Sequence, residues 1–190
     1  MTGGLVLAAG AARRFGAPKQ LAELDGVPLL QHAVDAMLAA RGVDRVVVVL
    51  GAGAGEVRAA VDFGDAEVVE CEDWAEGMAA SLRAGVAALA PCDAVVVTLG
   101  DQPRMSPAAI TAVVEAAAPG GVGAVRALYD GDPGHPVLLA SALHDRVGRL
   151  RGDTGARDLL DGVEVRTVEV GHLGRPGDVD TPEELEALRS

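Results

Sequence analysis

The chain has 190 residues, which is long enough for one well-buried domain and too short for two ordinary ones. Hydrophobic residues make up 49% and charged residues 23%, so global disorder is excluded. A net charge of −12 and an aromatic content of 2% disfavour binding to nucleic acid or to an anionic membrane. Cys71 and Cys92 lack metal-binding spacing, so we expect two reduced thiols in a cytoplasmic protein.

The predicted elements alternate between strand and helix along the chain. A short apolar run at Gly3–Ala9 predicts a buried strand, and a glycine- and alanine-rich loop follows from Gly10 to Pro18. Helical spacing of apolar residues predicts a first helix that Pro28 opens and Gly42 stops. The later patterns predict strands at Arg45–Leu50, Ala66–Glu70, Asp93–Leu99, Val122–Leu128, Pro136–Ala140 and near Val163–Val168, and helices near Glu56–Val61, at Met78–Leu89, from Pro107, near Gly155–Asp161 and after Thr181. This order predicts an α/β fold, with a mostly parallel sheet covered by helices on both faces.

Basic residues are concentrated in the loop after the first predicted strand. The first twenty residues contain Arg13, Arg14 and Lys19 and no acidic residue. Small side chains let backbone N–H groups approach an anion, and the cations neutralise it. The glycines at Gly10 and Gly16 match neither the dinucleotide-binding pattern nor the P-loop pattern. The loop therefore predicts a phosphate site of another kind, and the alternative is a loop with solvated arginines.

Acidic residues follow the fourth long strand and recur near the end of the chain. Asp101 lies at the carboxyl end of an apolar strand, where it would be a natural ligand for Mg²⁺ bound to a phosphate. An ordinary turn is the alternative interpretation of this position. Asp178 and Asp180 would lie on one side of an extended segment and would supply a second ligand. Thr181 begins a capping-box pattern for the final helix, and both roles are compatible.

Six short blocks together carry a family resemblance. They are LVLAAGAARRFGAPKQL (5–21), WAEGMAASL (74–82), GDQP (100–103), GHPV (134–137), GDTGAR (152–157) and DVDTPE (178–183). In this order they closely resemble the MobA-like nucleotidyltransferases, and within them the molybdenum cofactor cytidylyltransferase branch. The resemblance implies a three-layer Rossmann-like nucleotidyltransferase fold in a single domain that covers residues 1–190. It also implies transfer of a nucleoside monophosphate from an NTP to a phosphorylated acceptor, with Mg²⁺ required and pyrophosphate released.

The resemblance also implies roles for individual residues. The implied nucleotide-binding residues are Leu7, Ala8, Ala9, Gly10, Arg14, Gly16, Lys19, Gly77 and Ser81. The implied catalytic residues are Lys19, Arg14 and Asp101, and the implied metal ligands are Asp101 with Asp178 or Asp180. The guanylyl branch tends to carry Ala-Gly-Gly where this chain has Ala-Ala-Gly, and a different block at residues 77–81, so CTP is expected as the nucleotide.

The acceptor is the least determined part of this interpretation. His135 and Arg157 are candidates for binding it, although a structural histidine and a surface arginine are the alternatives. The resemblance implies an acceptor of molybdopterin type, and a molybdoenzyme or its chaperone as a partner protein. A monomer is the expected state. Two other functions stay open: a guanylyl- or other nucleotidyltransferase with a different phosphorylated acceptor, or a non-catalytic nucleotide-binding accessory protein of a molybdoenzyme.

Overall fold

A computed structural model describes residues 1–10, 15, 18–117 and 121–189. Its strands are β1 (Thr2–Ala8), β2 (Glu23–Leu24), β3 (Val27–Pro28), β4 (Arg45–Leu50), β5 (Glu67–Glu70), β6 (Ala94–Leu99), β7 (Ala124–Tyr129), β8 (Asp132–Ala140) and β9 (Val165–Glu169). Its α-helices are α1 (Leu29–Leu38), α2 (Ala54–Ala60), α3 (Met78–Ala88), α4 (Pro107–Ala117), α5 (His144–Val147) and α6 (Pro182–Arg189). The alternation of strand and helix predicted from the sequence is therefore present.

The central sheet has seven strands in the order β5-β4-β1-β6-β8-β7-β9. Strand β1 lies between β4 and β6 and is parallel to both, with Leu7 opposite Val49 on one side and Leu99 on the other. Strand β8 is antiparallel to both β6 and β7, while β7 and β9 are parallel. The predicted fold class is confirmed: a mostly parallel, Rossmann-like sheet flanked by helices. The carboxyl ends of β1 and β6 consequently meet at one edge of the sheet, where ligands bind in open α/β folds.

Two apolar layers hold the helices against the sheet. On one face, Leu30 of α1 and Ile110 of α4 are fully buried against alternate residues of β1, β4 and β6. On the other face, Leu82 of α3 is fully buried in a separate cluster with the remaining residues of those strands. Each central strand is thus covered on both sides, which explains its continuous run of apolar residues. Helix α3 lies very close to the sheet, because a Cβ at Gly85 would be 2.3 Å from the Leu5 side chain.

Two local predictions were wrong in detail. Helix α1 begins at Leu29, because Pro28 belongs to a β2–β3 hairpin whose turn places Asp25 and Gly26 at positive φ. An Asp-Gly pair is a strong hairpin signal, so the sequence did contain the information. The helix expected near Gly155–Asp161 is present as a 3₁₀ helix at Ala156–Leu160. Strand β8 begins before Pro136, because it pairs antiparallel with β7 from its first residue.

Within the part of the chain that the structure describes, no helix has both the length and the apolar character that a membrane span requires.

Candidate functional site

The ends of β1 and β6 form a cavity of about 550 Å³. Its lining includes nine of the predicted site residues: Leu7, Ala8, Ala9, Gly10, Lys19, Gly77, Ser81, Asp101 and Asp180. Eight of these are among the predicted nucleotide-binding and catalytic residues, and the ninth, Asp180, is a predicted metal ligand. Predicted residues from five separate segments of the chain therefore line one cavity. Arg14 and Gly16, which were also predicted to bind the nucleotide, lie outside the described residues.

Lys19, the single lysine of the chain, lies between two carboxylates. Its Nζ donates hydrogen bonds to Asp101 Oδ2 at 2.7 Å, to Asp180 Oδ1 at 2.9 Å and to the Val179 carbonyl at 3.1 Å. The side chain is only 13% exposed. Burial lowers the pKa of Lys19, but the two carboxylates outweigh burial and the pKa is raised. The ammonium group is therefore charged at neutral pH and held in a fixed position.

Asp101 has one oxygen in this ion pair and one without a partner. Its Oδ1 is buried and accepts no hydrogen bond within the described residues. Burial raises the pKa of Asp101, Lys19 lowers it, and the negative charges of Asp178 and Asp180 raise it again, with a raised pKa as the result. A buried carboxylate oxygen with no donor favours a further cation close to it.

The carboxylates of Asp101 and Asp180 fit a magnesium ion that also binds phosphate. Among the described residues, no group of three or more His, Cys, Asp or Glu side chains is arranged to hold a metal. Magnesium does not need such a group, because it is usually bound through one or two carboxylates, with phosphate oxygens and waters as the other ligands. Asp101 and Asp180, both hydrogen-bonded to Lys19, supply two carboxylates of this kind.

The segment before α6 places Asp180, and not Asp178, in contact with Lys19. Asp180 contacts Lys19, whereas Asp178 Oδ1 accepts a hydrogen bond of 2.6 Å from Gln102 Nε2. The backbone N–H of Val179 donates to the Asp101 carbonyl, which ties the two segments together. The predicted capping box is present, since the Thr181 N–H donates to Glu184 Oε2 at 2.9 Å and the Glu184 N–H to Thr181 Oγ1 at 3.2 Å.

Gln20 positions the end of β1 and was missed by the sequence analysis. Its buried Nε2 donates to the carbonyl oxygens of Ala8 at 2.8 Å and Gly10 at 3.0 Å. These bonds fix the backbone at the start of the basic loop. The sequence does not reveal this role of Gln20, because only the fold determines which carbonyl groups its side chain reaches.

Position 77 requires a glycine, because the backbone there has a positive φ and lies very close to the backbone at Gly152. The φ of Gly77 is +121°, and a Cβ at this position would lie 2.5 Å from the Gly152 carbonyl oxygen. The next helix, α3, begins directly after it, and Ser81 in the first turn of α3 is buried against the cavity. Gly77 therefore shapes the wall of this cavity, and its role in binding a nucleotide stays a prediction.

A second cavity, of about 570 Å³, adjoins the first. The two share Met78, Leu99 and Asp153 in their walls. The second cavity contains both predicted acceptor residues, His135 and Arg157. The described members of the predicted nucleotide-binding set thus line one cavity, and the two predicted acceptor residues line its neighbour.

His135 is uncharged at neutral pH. Burial lowers its pKa to about 4, with Arg126 and Arg157 acting in the same direction and Asp178 opposing them. The Tyr129 hydroxyl donates a hydrogen bond of 2.6 Å to the His135 carbonyl, which fixes the backbone of this residue. The imidazole can therefore offer one donor and one acceptor to a ligand, without a positive charge.

Comparison with known proteins agrees with this architecture. Residues 4–170 match the family model of the MobA-like NTP transferase domain. Nicotine blue oxidoreductase of Paenarthrobacter nicotinovorans is 33% identical, over 97% of this chain and 95% of the relative. The purine catabolism protein PucB of Bacillus subtilis is 31% identical, over 98% of this chain and 95% of the relative.

Solved structures extend the comparison. Rv0371c from Mycobacterium tuberculosis has a TM-score of 0.88 and 34% identity, with 98% of this chain and 96% of that chain covered. A structure of the same protein in complex with manganese has a TM-score of 0.84 and 32% identity, with 98% of this chain and 97% of that chain covered. The match over most of the chain shows that this protein belongs to the MobA-like NTP transferase family.

Proposed function

We propose that this protein is a Mg²⁺-dependent cytidylyltransferase that transfers CMP from CTP to a phosphorylated acceptor of molybdopterin type and releases pyrophosphate. The observation that carries the proposal is the cluster of Lys19, Asp101 and Asp180 at the meeting point of β1 and β6. One ammonium group and two carboxylates at this edge of the sheet suit the binding of a triphosphate together with a divalent cation.

Asp101 and Asp180 are the proposed metal ligands. Oδ1 of Asp101, which accepts no hydrogen bond from any described residue, is the atom best suited to this role. Asp178 is the less direct candidate, because Gln102 donates a hydrogen bond to one of its oxygens. A bound Mg²⁺ would neutralise negative charge on the reacting phosphates. The manganese complex of Rv0371c, a relative with 32% identity, supports a divalent ion in this family.

The chain's own residues would act mainly by positioning and by charge. The acceptor phosphate is already an anion at neutral pH, so its attack on the α-phosphorus needs no strong general base. Lys19 would offset the negative charge that grows as pyrophosphate leaves. Gln20 would keep the backbone after β1 in place for the nucleotide, through its bonds to Ala8 and Gly10.

Turnover with a panel of nucleotides tests the proposal. The protein is incubated with each NTP and molybdenum cofactor, with and without Mg²⁺, and release of pyrophosphate is measured. CTP with Mg²⁺ is expected to give the fastest release. A strong preference for GTP would overturn the choice of base, and binding of nucleotide without pyrophosphate release would instead favour a non-catalytic accessory protein.

The similarity to nicotine blue oxidoreductase favours a second candidate, an oxidoreductase. That relative is 33% identical over almost the whole chain. The candidate predicts oxidation of a reduced nicotinamide cofactor in the presence of an electron-accepting dye. The carboxylate–lysine cluster favours the transferase, because hydride transfer has no use for two carboxylates suited to a divalent cation.

A further inference from the structure

We propose that Arg126 and Arg157 form an anion-binding subsite that holds a phosphomonoester group of the acceptor. The inference rests on the proposed function, which it deepens by naming the chemical group and the residues that bind it. Arg126 was not recognised from the sequence, and it lies on β7, between β8 and the edge strand β9.

An irregularity in the sheet opens the cavity beside Arg126. Arg126 pairs with Val137 of β8, but the next residue, Ala127, pairs with Gly134. Two residues of β8, His135 and Pro136, are therefore left out of the ladder between these pairs. Such bulges bend a strand and redirect its side chains, and they are common beside active sites. Here His135 and Arg126 both line the second cavity.

Neither arginine has a side-chain partner among the described residues. Arg126 Nε is buried and makes no hydrogen bond in this part of the chain, and the side chain of Arg157 forms no hydrogen bond or ion pair there. Arg175, in contrast, is paired with Asp130 at 2.7 Å. The carboxylates that line the cavity are Asp132, Asp153, Asp158 and Asp178, and none of them forms an ion pair with either of the two arginines.

Two positive charges close together in a cavity, here Arg126 and Arg157, favour the binding of an anion between or beside them. Burial lowers the pKa of Arg126, and the nearby positive charge of Arg157 lowers it further. A guanidinium group keeps its proton nonetheless, so the two charges remain. Arginine binds phosphate through paired N–H donors, and two arginines match the charge of a phosphomonoester dianion. Neutral His135 can add a hydrogen bond without adding charge.

The position of the subsite separates it from the triphosphate site. Lys19 and Asp101 line the first cavity and not the second, whereas Arg126 and Arg157 line the second and not the first. The two cavities share a wall that includes Leu99, the last residue of β6. An anion held by the arginines therefore belongs to the acceptor, which must approach the nucleotide from this side.

Equilibrium binding of phenyl phosphate tests the subsite directly. This phosphomonoester is titrated by calorimetry into the unaltered protein and into Arg126→Gln, Arg157→Gln and, as the matched control, Arg149→Gln. Arg149 is exposed and does not line the cavity. Each cavity variant is expected to weaken binding roughly tenfold or more, with the control within about twofold. Equal binding by the cavity variants and the control, or no measurable binding by the unaltered protein, would overturn the proposal.

Three further measurements keep the test decisive. Arg126→Lys retains the positive charge. If it binds phenyl phosphate more tightly than Arg126→Gln does, the loss in Arg126→Gln comes from the missing charge and not from altered folding. Loss of phenyl phosphate binding in Lys19→Met with normal binding in Arg126→Gln would place the anion in the first cavity and overturn the subsite. In turnover, the cavity variants are expected to raise the KM of the acceptor and leave the KM of CTP unchanged. Absence of turnover in the unaltered protein, with phenyl phosphate binding lost only in the cavity variants, would reject the transferase and retain the anion site.

Discussion

His135 gives the protein a pH-dependent stability that can be calculated. The ordinary histidine pKa is 6.5 and the folded-state value is about 4. A group whose folded pKa is depressed contributes stability above its unfolded pKa and loses it as the pH falls through the folded pKa. The full loss is about 3 kcal/mol in the free energy of unfolding, and about 2 kcal/mol of it should already be gone at about pH 5.

The perturbation that isolates this contribution is His135→Asn, which cannot take up a proton. The free energy of unfolding is measured with urea for both proteins between about pH 8 and about pH 5. Other groups also titrate in this range, so the informative quantity is the difference between the two proteins at each pH. That difference is expected to move by about 2 kcal/mol in favour of the variant as the pH falls.

The same titration of His172→Asn, which removes an exposed histidine, supplies the control curve. A difference between the unaltered protein and His135→Asn that stays constant with pH would refute the reasoning. It would mean that the cavity that His135 lines is well solvated.

Other predictions concern the first cavity and the segments that shape it. Lys19→Met and Asp101→Asn should each lower turnover at least about a hundredfold with an unchanged circular dichroism spectrum, and near-normal turnover in either would remove that residue from the site. Gly77→Ala should lower the free energy of unfolding by about 1–3 kcal/mol, because positive φ and the clash with a neighbouring carbonyl both strain it. Gly26→Ala, at positive φ in open space, is the control and should cost less in the same urea titration. Thr181→Ala should cost about 1 kcal/mol by that measurement, and no loss would show that the capping box adds nothing.

The central strands could be predicted because a strand that is covered on both faces has apolar residues at almost every position. β1 and β6 are continuous apolar runs that end in a glycine-rich loop and in Gly100–Asp101. Their adjacency could not be predicted, because the order of strands depends on contacts between distant parts of the chain. The proximity of Lys19 and Asp101, separated by 82 positions, follows from that order and was available only through the family resemblance.

The residues of the second cavity were harder to predict from the sequence, for a different reason. Arg126 lies within an otherwise apolar strand, and a charged residue there is typically assigned to a solvent-facing position. Its exposure to a cavity depends on the two residues of β8 that leave the ladder, and no local pattern specifies a bulge of this kind. The block containing His135 was part of the family resemblance, but the irregular pairing of β7 with β8 at this segment became visible only in the structure.

The charge of the Lys19, Asp101 and Asp180 cluster explains why a divalent ion should control nucleotide binding. Lys19, Asp101 and Asp180 together carry a net charge of −1, which repels a triphosphate unless another cation is present. Removal of divalent ions with a chelator should therefore weaken CTP binding, measured by calorimetry, by roughly tenfold or more.

The double variant Asp101→Asn, Asp180→Asn reverses the balance, because the cluster then carries a net charge of +1. Its CTP binding without metal should be tighter than that of the unaltered protein under the same conditions, and addition of Mg²⁺ should change it little. Asp178→Asn is the matched control, since Gln102 already holds that carboxylate and the metal dependence should largely persist. If the double variant kept the full metal dependence, the ion would have to bind through the triphosphate alone, and the two carboxylates would serve only to hold Lys19.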